Sequence, residues 1–186
     1  MGLKLNLGCG QKSMPGFVNV DKFGNPDLKW DLETLPWPWP DGSASEIHLI
    51  HVLEHLGASS DVFIGIMKEL YRVSEPGAKI RIVVPHPRHD FFIGDPTHVR
   101  PITPEMLGLF SKRENLRFTE LRAANTPLAL HHNVDFQIDD VQYILDEPYS
   151  SEFKAGKLSQ DDFQKLVRKY NNVVTEIQIS LSVIKS

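Results

Sequence analysis

The chain has 186 residues, of which 41% are hydrophobic and 24% are charged, values that fit one globular domain with a substantial core. Its formal net charge of -4, without any basic cluster, argues against a nucleic acid or an anionic lipid as partner. The only cysteine, Cys9, excludes an internal disulfide and a paired-cysteine metal or redox site, so we expect a cytoplasmic protein. Neither a signal peptide nor an apolar run of ~18 residues is apparent, so we expect no membrane partner.

Short apolar runs alternate with helical periodicity along the chain, a pattern typical of a parallel sheet covered by helices. Residues 3–7 and 17–20 predict the first two strands. The connection between them, residues 8–16, is shorter than the roughly twelve residues that a parallel crossover normally needs. We therefore predict that the first crossover helix is reduced or missing.

The middle of the chain predicts an extended loop, two strands and a helix. The loop covers residues 28–41, where Trp37 and Trp39 each precede a proline. These two side chains could wall a ligand cleft or anchor the core, and we favour packing for at least one of them. The strands are predicted at 46–50 and 79–84.

A helix is predicted over residues 60–73, which carry apolar side chains at helical spacing, and Pro76 and Gly77 are predicted to end it. A second helix, capped by Thr103, is predicted to run to Phe110.

Two further strands are predicted at 116–121 and 174–184. We expect a single domain, residues 1–186, with an insertion at about 123–173. A lid over a substrate and a contact between copies in a homo-oligomer are the two roles considered for this insertion.

A glycine turn follows the first predicted strand. Gly8 and Gly10 allow the backbone to approach a ligand where a side chain would clash, although a plain tight turn would use the same residues. Cys9 between them is expected to contact a ligand only through its backbone, because nothing near it in sequence would lower the pKa of the thiol.

Asp21 ends the second predicted strand, where an acidic residue accepts hydrogen bonds from ribose hydroxyls in nucleotide-binding sheets. It lies much closer to the glycine turn than the usual ~20 residues, so this role requires that the first helix is absent. An exposed strand-end carboxylate is the alternative.

Taken in order, the segments LNLGCG, VNVD, WDLETLPW, IHLIHVLEHL and KELYRVSEPGAKIRIVVP resemble the class I S-adenosylmethionine-dependent methyltransferases. The resemblance is to short predicted methyltransferases with an abbreviated first crossover, and it covers roughly residues 3–85. It implies an α/β fold with a doubly wound, mostly parallel, seven-stranded Rossmann-like sheet whose last strand is antiparallel. It also implies that S-adenosylmethionine binds across the carboxyl ends of the first strands.

The same resemblance implies which residues contact the cofactor. Asp31 and Leu32 match the position that meets the adenine, the carboxylate accepting from the amine and Leu32 packing on the ring. His51 ends the third strand, where this fold brings the substrate toward the methyl donor, although a structural histidine is the alternative. The predicted cofactor-binding residues are Gly8, Cys9, Gly10, Asp21, Asp31, Leu32 and His51.

The polar loop 86–100 follows the strand whose carboxyl end faces the cleft in this architecture. If the acceptor is a hydroxyl, His89 or His98 is predicted to take its proton. Arg100 is predicted to bind an anionic part of the substrate, and His86 is predicted to contact the substrate as well. A hydrated surface loop and a structural metal site are the alternatives.

Residues 51–55, HVLEH, also match the HxxEH signature of inverted zinc peptidases. Against a zinc hydrolase, the pentapeptide starts at the end of an apolar strand, and no distant acidic third ligand is apparent. We therefore predict no metal site and keep the zinc hydrolase as a less favoured alternative.

The predicted function is transfer of a methyl group from S-adenosylmethionine to a small-molecule or glycan-type acceptor, at oxygen or nitrogen. Nucleic acid is not expected as acceptor, because the acidic side chains of the insertion would repel a polyanion. A protein that kept the fold and lost catalysis is the alternative, since fold alone does not exclude it.

Overall fold

A seven-stranded sheet forms the centre of the computed structural model, which describes residues 2–185. Its strands are β1 (Leu3–Leu7), β2 (Val18–Asp21), β3 (Leu28–Lys29), β4 (Ala44–Ile50), β5 (Ser74–Pro85), β6 (Phe136–Leu145) and β7 (Val174–Val183). They lie in the order β3-β2-β1-β4-β5-β7-β6. Strands β1 to β5 pair in parallel, and β7 is antiparallel to both of its neighbours. The predicted doubly wound, mostly parallel sheet with an antiparallel last strand is confirmed.

The strand order reverses next to β1. The chain moves outward from β1 to β3 and then returns to place β4 on the other side of β1. In open sheets of this kind, ligands bind beyond the carboxyl ends of the strands at the point of reversal. The topology therefore predicts a ligand site beyond the carboxyl ends of β1, β2 and β4.

The connection from β1 to β2 is short, as predicted, and residues 8–17 contain turns and no helix. A buried pair of amides holds this connection. Asn6 pairs with Asn19 across the sheet, and its Nδ2 donates to Asn19 Oδ1 (2.9 Å) and to the carbonyl of Lys12 (3.0 Å). Asn19 Oδ1 also accepts from the N–H of Met14 (2.7 Å). These bonds satisfy backbone groups that would have bonded within a helix.

Seven α-helices connect the strands in the described part of the chain. They are α1 (Ser60–Val73), α2 (Asp90–Ile93), α3 (Pro104–Gly108), α4 (Lys112–Glu120), α5 (Leu128–His132), α6 (Tyr149–Lys154) and α7 (Gln160–Lys169), with a 3-10 turn at Leu53–His55. The helix predicted over 60–73 is α1, and Thr103 caps α3 by accepting from the N–H of Met106 (3.2 Å). Among residues 2–185, no helix has the length and apolar character needed to cross a bilayer.

The prediction of a strand at 116–121 is wrong, because residues 116–120 lie in α4 and Leu121 is its C-cap residue. Ser111 caps the helix by accepting from the N–H of Glu114 (3.4 Å). Leu116 and Phe118 alternate along the sequence and mimic a strand. The helix instead turns the polar Asn115 inward, where its Oδ1 accepts from the N–H of Ala129 (3.0 Å).

Strand β6 was not predicted, and it lies within the stretch 123–173 that the sequence marked as an insertion. It is an edge strand of which only Phe136 is buried, so it lacks the apolar run that signals a strand. This stretch therefore contributes a strand to the sheet. Its role as a lid or as an oligomer contact stays a prediction.

Pro76 and Gly77 lie in β5 and not at the end of α1, which stops at Val73. Ser74 pairs with Ala44 of β4, and the next pair joins Lys79 to Glu46, so the longer β5 segment bulges between them. The two residues that were expected to stop the helix therefore form a bulge where the strand begins.

Arg72 ties α1 to the loop before β4. Arg72 donates to the carboxylate of Glu69 (2.6 Å), to that of Asp41 (2.6 Å) and to the carbonyls of Trp37 and Trp39. The N–H of Trp37 donates to Glu69 as well (2.6 Å). Both tryptophan side chains are buried in the core, so packing is the role that the structure gives them.

Burial alone would raise the pKa of Glu69, but the hydrogen bonds from Arg72 and from the N–H of Trp37 outweigh it and lower that pKa. The carboxylate is therefore charged in the folded protein and depends on its cationic partner.

Replacing Arg72 with Met should lower the free energy of unfolding by about 2 kcal/mol, because the Glu69 carboxylate would stay buried without its cation. Adding Glu69→Gln should recover part of this loss. The deficit of the single variant should be present above the ordinary pKa of a glutamate and shrink as the pH falls and Glu69 is protonated. Urea-induced unfolding followed by tryptophan fluorescence measures these values. A double variant as unstable as the single one would contradict the account.

Candidate functional site

A cleft of about 170 Å³ opens beyond the carboxyl ends of β1, β2 and β4, where the strand order reverses. Its walls come from separate segments of the chain that the sheet brings together. The lining residues are Gly8, Asp21, Lys22, Phe23, Trp30, Asp31, Leu32, His51, Val52, His55 and Leu56.

Glycine occupies the two positions of the turn for different physical reasons. Both have positive φ, 67° at Gly8 and 52° at Gly10. A Cβ on Gly8 would lie 2.5 Å from a methyl carbon of Val52, so packing inside the protein requires this glycine. A Cβ on Gly10 would meet nothing within 4 Å, so the space beside Gly10 is open to a ligand.

Cys9 is buried between these glycines. Burial, and after it the charge of Asp21, raises the pKa of its thiol, so the sulfur stays protonated and unreactive. The expectation that Cys9 is not a nucleophile agrees with this environment.

Asp21 links the glycine turn to the segment that follows β2. Its Oδ2 accepts from the N–H of Gly10 (2.8 Å), and its Oδ1 accepts from the N–H of Phe23 (2.8 Å). A carboxylate offers about four acceptor positions, so each oxygen keeps one for a further donor. Asp21 can therefore hold the turn and still accept hydrogen bonds from a ligand in the cleft.

The wall formed by residues 30–32, next to Asp21, combines apolar surface with one carboxylate. Leu32 is buried, and Trp30 is held by a hydrogen bond from its Nε1 to the carbonyl of Thr34 (3.2 Å). Asp31 accepts from the N–H of Glu33 (3.0 Å) and lies 3.6 Å from the ammonium of Lys22. An aromatic ring with an exocyclic N–H donor would fit this wall, with the ring against the apolar side chains and the donor at the carboxylate.

His51 has an unusual backbone conformation at the end of β4. Its φ is 55°, which a residue with a side chain adopts at a cost of about 1–3 kcal/mol and which is concentrated at functional sites. Its N–H donates to the carbonyl of Val83 (2.8 Å), which holds the strained residue beside β5.

Two carboxylates flank the ring of His51. Nδ1 lies 3.6 Å from Glu54, and Nε2 lies 3.1 Å from Glu176. Glu54 raises the pKa of His51 most, burial opposes this, and Glu176 raises it further, so the net shift is upward. The cleft therefore has a histidine that holds its proton more strongly than usual.

The histidines predicted for substrate chemistry do not line the cleft. His89 is buried, caps α2 by accepting from the N–H of Phe91 (3.0 Å) and contacts Asp146 through Nε2 (3.1 Å). His86 lines a separate cavity of about 610 Å³ beside α7, and burial lowers its pKa. These contacts are structural, and the predicted roles of both residues stay predictions.

Arg100 and His98 are not among the lining residues of the cleft either. Arg100 donates to the carbonyl of Gly57 (2.8 Å) and stacks over the ring of Phe63 at 4.6 Å. The ring of His98 lies 4.6 Å from that of His55, which lines the cleft. Of the four residues predicted in this loop, His98 is the one whose ring contacts a residue of the cleft wall.

Glu54, His55 and His98 form a group in which one ligand atom from each residue lies within 4.8 Å of the others. It is the one such group of metal-ligand type within residues 2–185. The HxxEH match of residues 51–55 is a different set, and it requires a helix. The chain has only a 3-10 turn, Leu53–His55, at this position, and His51 precedes it. The geometry of an inverted zinc peptidase is therefore absent from this segment.

No family model and no curated protein matches the sequence. Solved structures do match. A SAM dependent methyltransferase from Archaeoglobus fulgidus has 19% identity and a TM-score of 0.58, over 97% of this chain and 86% of the other. A 1,6-didemethyltoxoflavin-N1-methyltransferase from Burkholderia thailandensis has 10% identity and a TM-score of 0.54, over 98% and 71%. A 16S rRNA (adenine(1408)-N(1))-methyltransferase from Catenulisporales acidiphilia has 16% identity and a TM-score of 0.51, over 99% and 86%.

This chain has the class I methyltransferase fold. The fold that the ordered motifs implied is therefore confirmed. The similar methyltransferase structures include one named for a small molecule and one named for ribosomal RNA, so the fold leaves the acceptor open.

Sequence reasoning on the methyltransferase fold missed several cleft residues. Lys22 and Phe23 follow Asp21 directly, and Trp30 precedes Asp31, so each extends a predicted contact by one or two positions. Val52 likewise follows His51 directly. Leu56 could not be found in this way, because its place in the wall depends on the 3-10 turn Leu53–His55.

Replacing Gly8 with Ala should destabilise the protein more than replacing Gly10. Each change costs about 1–2 kcal/mol for a side chain in the left-handed region, and Gly8→Ala adds about 1–3 kcal/mol for overlap with Val52. Adding Val52→Ala to Gly8→Ala should remove most of the extra cost. Urea-induced unfolding of the set, analysed as a double-mutant cycle, gives the coupling. Equal losses for the two glycine variants would refute the assignment of Gly8 to internal packing.

Proposed function

We propose that the cleft binds S-adenosylmethionine and that the chain is a methyltransferase acting on a small-molecule or glycan-type acceptor, at oxygen or nitrogen. The observation that carries the proposal is the convergence of predicted residues. Gly8, Asp21, Asp31, Leu32 and His51 come from separate segments and line one cleft at the point of strand reversal.

The residues of the cleft fit the parts of this cofactor. Asp21 keeps acceptor positions for ribose hydroxyls. Trp30 and Leu32 offer apolar surface for the adenine, and Asp31 offers an acceptor for its amine. The open space beside Gly10 suits the methionine part. The cleft is smaller than the ~300 Å³ at the lower end of ligand pockets, so the cofactor would extend along the glycine turn.

The short connection after β1 favours this cofactor over a dinucleotide. A dinucleotide sheet holds its pyrophosphate at the amino terminus of the helix that follows the first strand. Residues 8–17 have no helix, so they lack that anion site. S-adenosylmethionine carries no phosphate and does not need it.

When bound, the cofactor supplies a methyl group on a sulfonium, and the protein contributes mainly alignment of the two reactants. His51 fits a role in alignment, because Glu176 lies within hydrogen-bond distance of its Nε2 (3.1 Å) and orients the ring at the cleft, with Glu54 beside Nδ1. Its raised pKa favours the protonated form, which suits contact with an anionic group better than proton abstraction.

Replacing Asp21 with Asn should weaken binding of S-adenosylmethionine and S-adenosylhomocysteine about 10-fold to 100-fold, because a hydrogen bond to a charged group contributes about 1.5–3 kcal/mol. Asn keeps one carbonyl oxygen, so the glycine turn keeps an acceptor for Gly10. Asp140→Asn, an exposed position on the edge strand β6, is the matched control and should bind normally. Calorimetric titration measures the affinities. Failure of the wild-type chain to bind either compound would refute the proposal.

The acceptor is tested separately, because cofactor binding without transfer is the behaviour of a protein that kept the fold and lost catalysis. Label from methyl-labelled cofactor is followed into the small-molecule, glycan and RNA fractions of a cell extract incubated with the protein. Transfer to small molecules or glycans supports the proposed acceptor class, and transfer confined to RNA overturns it. The Asp21→Asn variant under the same conditions gives the background.

A further inference from the structure

We propose that Glu54, His55 and His98 bind one divalent transition-metal ion of the zinc type at the edge of the cleft. The inference concerns metal binding and does not rest on the proposed methyl transfer. It starts from the group of ligand atoms that lie within 4.8 Å of one another. The fold forms this group by bringing the 3-10 turn after β4 against the loop that follows β5.

The first argument is the environment of Glu54. Its side chain is 1% exposed, and neither carboxylate oxygen accepts a hydrogen bond from any described residue. The nearest cationic nitrogen is Nδ1 of His51 at 3.6 Å, which is beyond hydrogen-bond distance. A buried carboxylate without a donor is unfavourable, and a proton or a bound cation removes the penalty.

The second argument is the tautomer of His98. Its Nδ1 lies 2.8 Å from the carbonyl of Phe92, and a carbonyl can only accept, so Nδ1 carries the hydrogen. The neutral ring then has its lone pair on Nε2. The side chain of His98 is 8% exposed, and its ring centroid lies 4.6 Å from that of His55. Nε2 lies 3.8 Å from a carboxylate oxygen of Asp95, which is beyond hydrogen-bond distance, so its lone pair stays available to a metal ion.

The same reasoning applies to His55. Its Nδ1 lies 3.0 Å from the hydroxyl of Thr97, and that hydroxyl donates its hydrogen to Asp95 (2.6 Å). The hydroxyl oxygen therefore accepts from Nδ1 of His55, and the lone pair of this ring is also on Nε2. Hydrogen bonds of this kind orient metal-binding histidines through the nitrogen that does not bind the metal.

Two imidazole lone pairs and one carboxylate form the donor set. Two histidines and a glutamate are a known set for zinc sites that keep one position open, and imidazole favours transition metals over magnesium or calcium. His55 also lines the cleft, so an open position on the ion would face a ligand there. As a metal ligand, His98 would act on such a ligand through the ion and not as a base.

The protein is tested as the full chain after treatment with a chelator. Calorimetric titration with Zn²⁺ should give one ion per chain, and Co²⁺ should produce the visible absorption of a low-coordinate nitrogen and oxygen site. His98→Ala and Glu54→Gln should each weaken Zn²⁺ binding by at least about 10-fold. His131→Ala, an exposed histidine on α5, is the matched control and should leave binding unchanged.

Stability separates loss of a ligand from loss of the fold. Without metal, Glu54→Gln should be at least as stable as the wild type, because the amide replaces a buried carboxylate whose two oxygens accept no hydrogen bond. Zn²⁺ should raise the midpoint of thermal unfolding of the wild type and not that of Glu54→Gln. Thr97→Val tests whether Thr97 positions the ring of His55. It should weaken Zn²⁺ binding about 10-fold to 100-fold and keep the Co²⁺ absorption at saturating metal.

Absence of Zn²⁺ binding, or equal binding by the wild type and both ligand variants, overturns the proposal. Titration of the same chelator-treated protein with S-adenosylmethionine is run in parallel. Cofactor binding without metal binding refutes only the metal site, and metal binding without cofactor binding refutes only the proposed methyltransferase.

Discussion

The direct turn from β1 into β2 is the constraint on which the rest of the molecule depends. A parallel crossover without a helix leaves some backbone polar groups of residues 8–17, such as the carbonyl of Lys12 and the N–H of Met14, without backbone partners. The buried amides of Asn6 and Asn19 supply those partners, and Asp27 holds Asn19 in turn by accepting from its backbone and side-chain nitrogens. The short turn then brings Asp21 to within one hydrogen bond of Gly10. The short turn and the position of the Asp21 carboxylate thus depend on one polar network.

Much of the sheet could be predicted from the sequence, because its central strands are buried on both faces and appear as apolar runs. The helix α1 was predicted to the residue, since its buried face repeats at helical spacing. Strand β6 and helix α4 were missed for the opposite reason. Strand β6 is mostly exposed, and α4 turns the polar Asn115 inward. In both elements the pattern of apolar residues therefore does not match the pattern of burial, and predictions from that pattern fail.

The candidate site was predictable where a residue acts from the end of a strand. Asp21 and His51 both line the cleft, because the carboxyl ends of parallel strands lie at one edge of the sheet. The histidines of the loop 86–100 do not follow that rule, because their positions depend on contacts with distant segments. His89, for example, is fixed by Asp146, and that contact joins positions far apart in the chain. No local pattern encodes such contacts.

Cys9 has a practical consequence for the study of this protein. It is the only thiol in the chain, it is buried, and its raised pKa keeps it protonated. Alkylating reagents attack thiolates, so the native chain offers them almost no target. A cysteine introduced on the surface would therefore react alone. Fluorophores and spin labels can thus be attached at one chosen position without first removing a residue from the glycine turn.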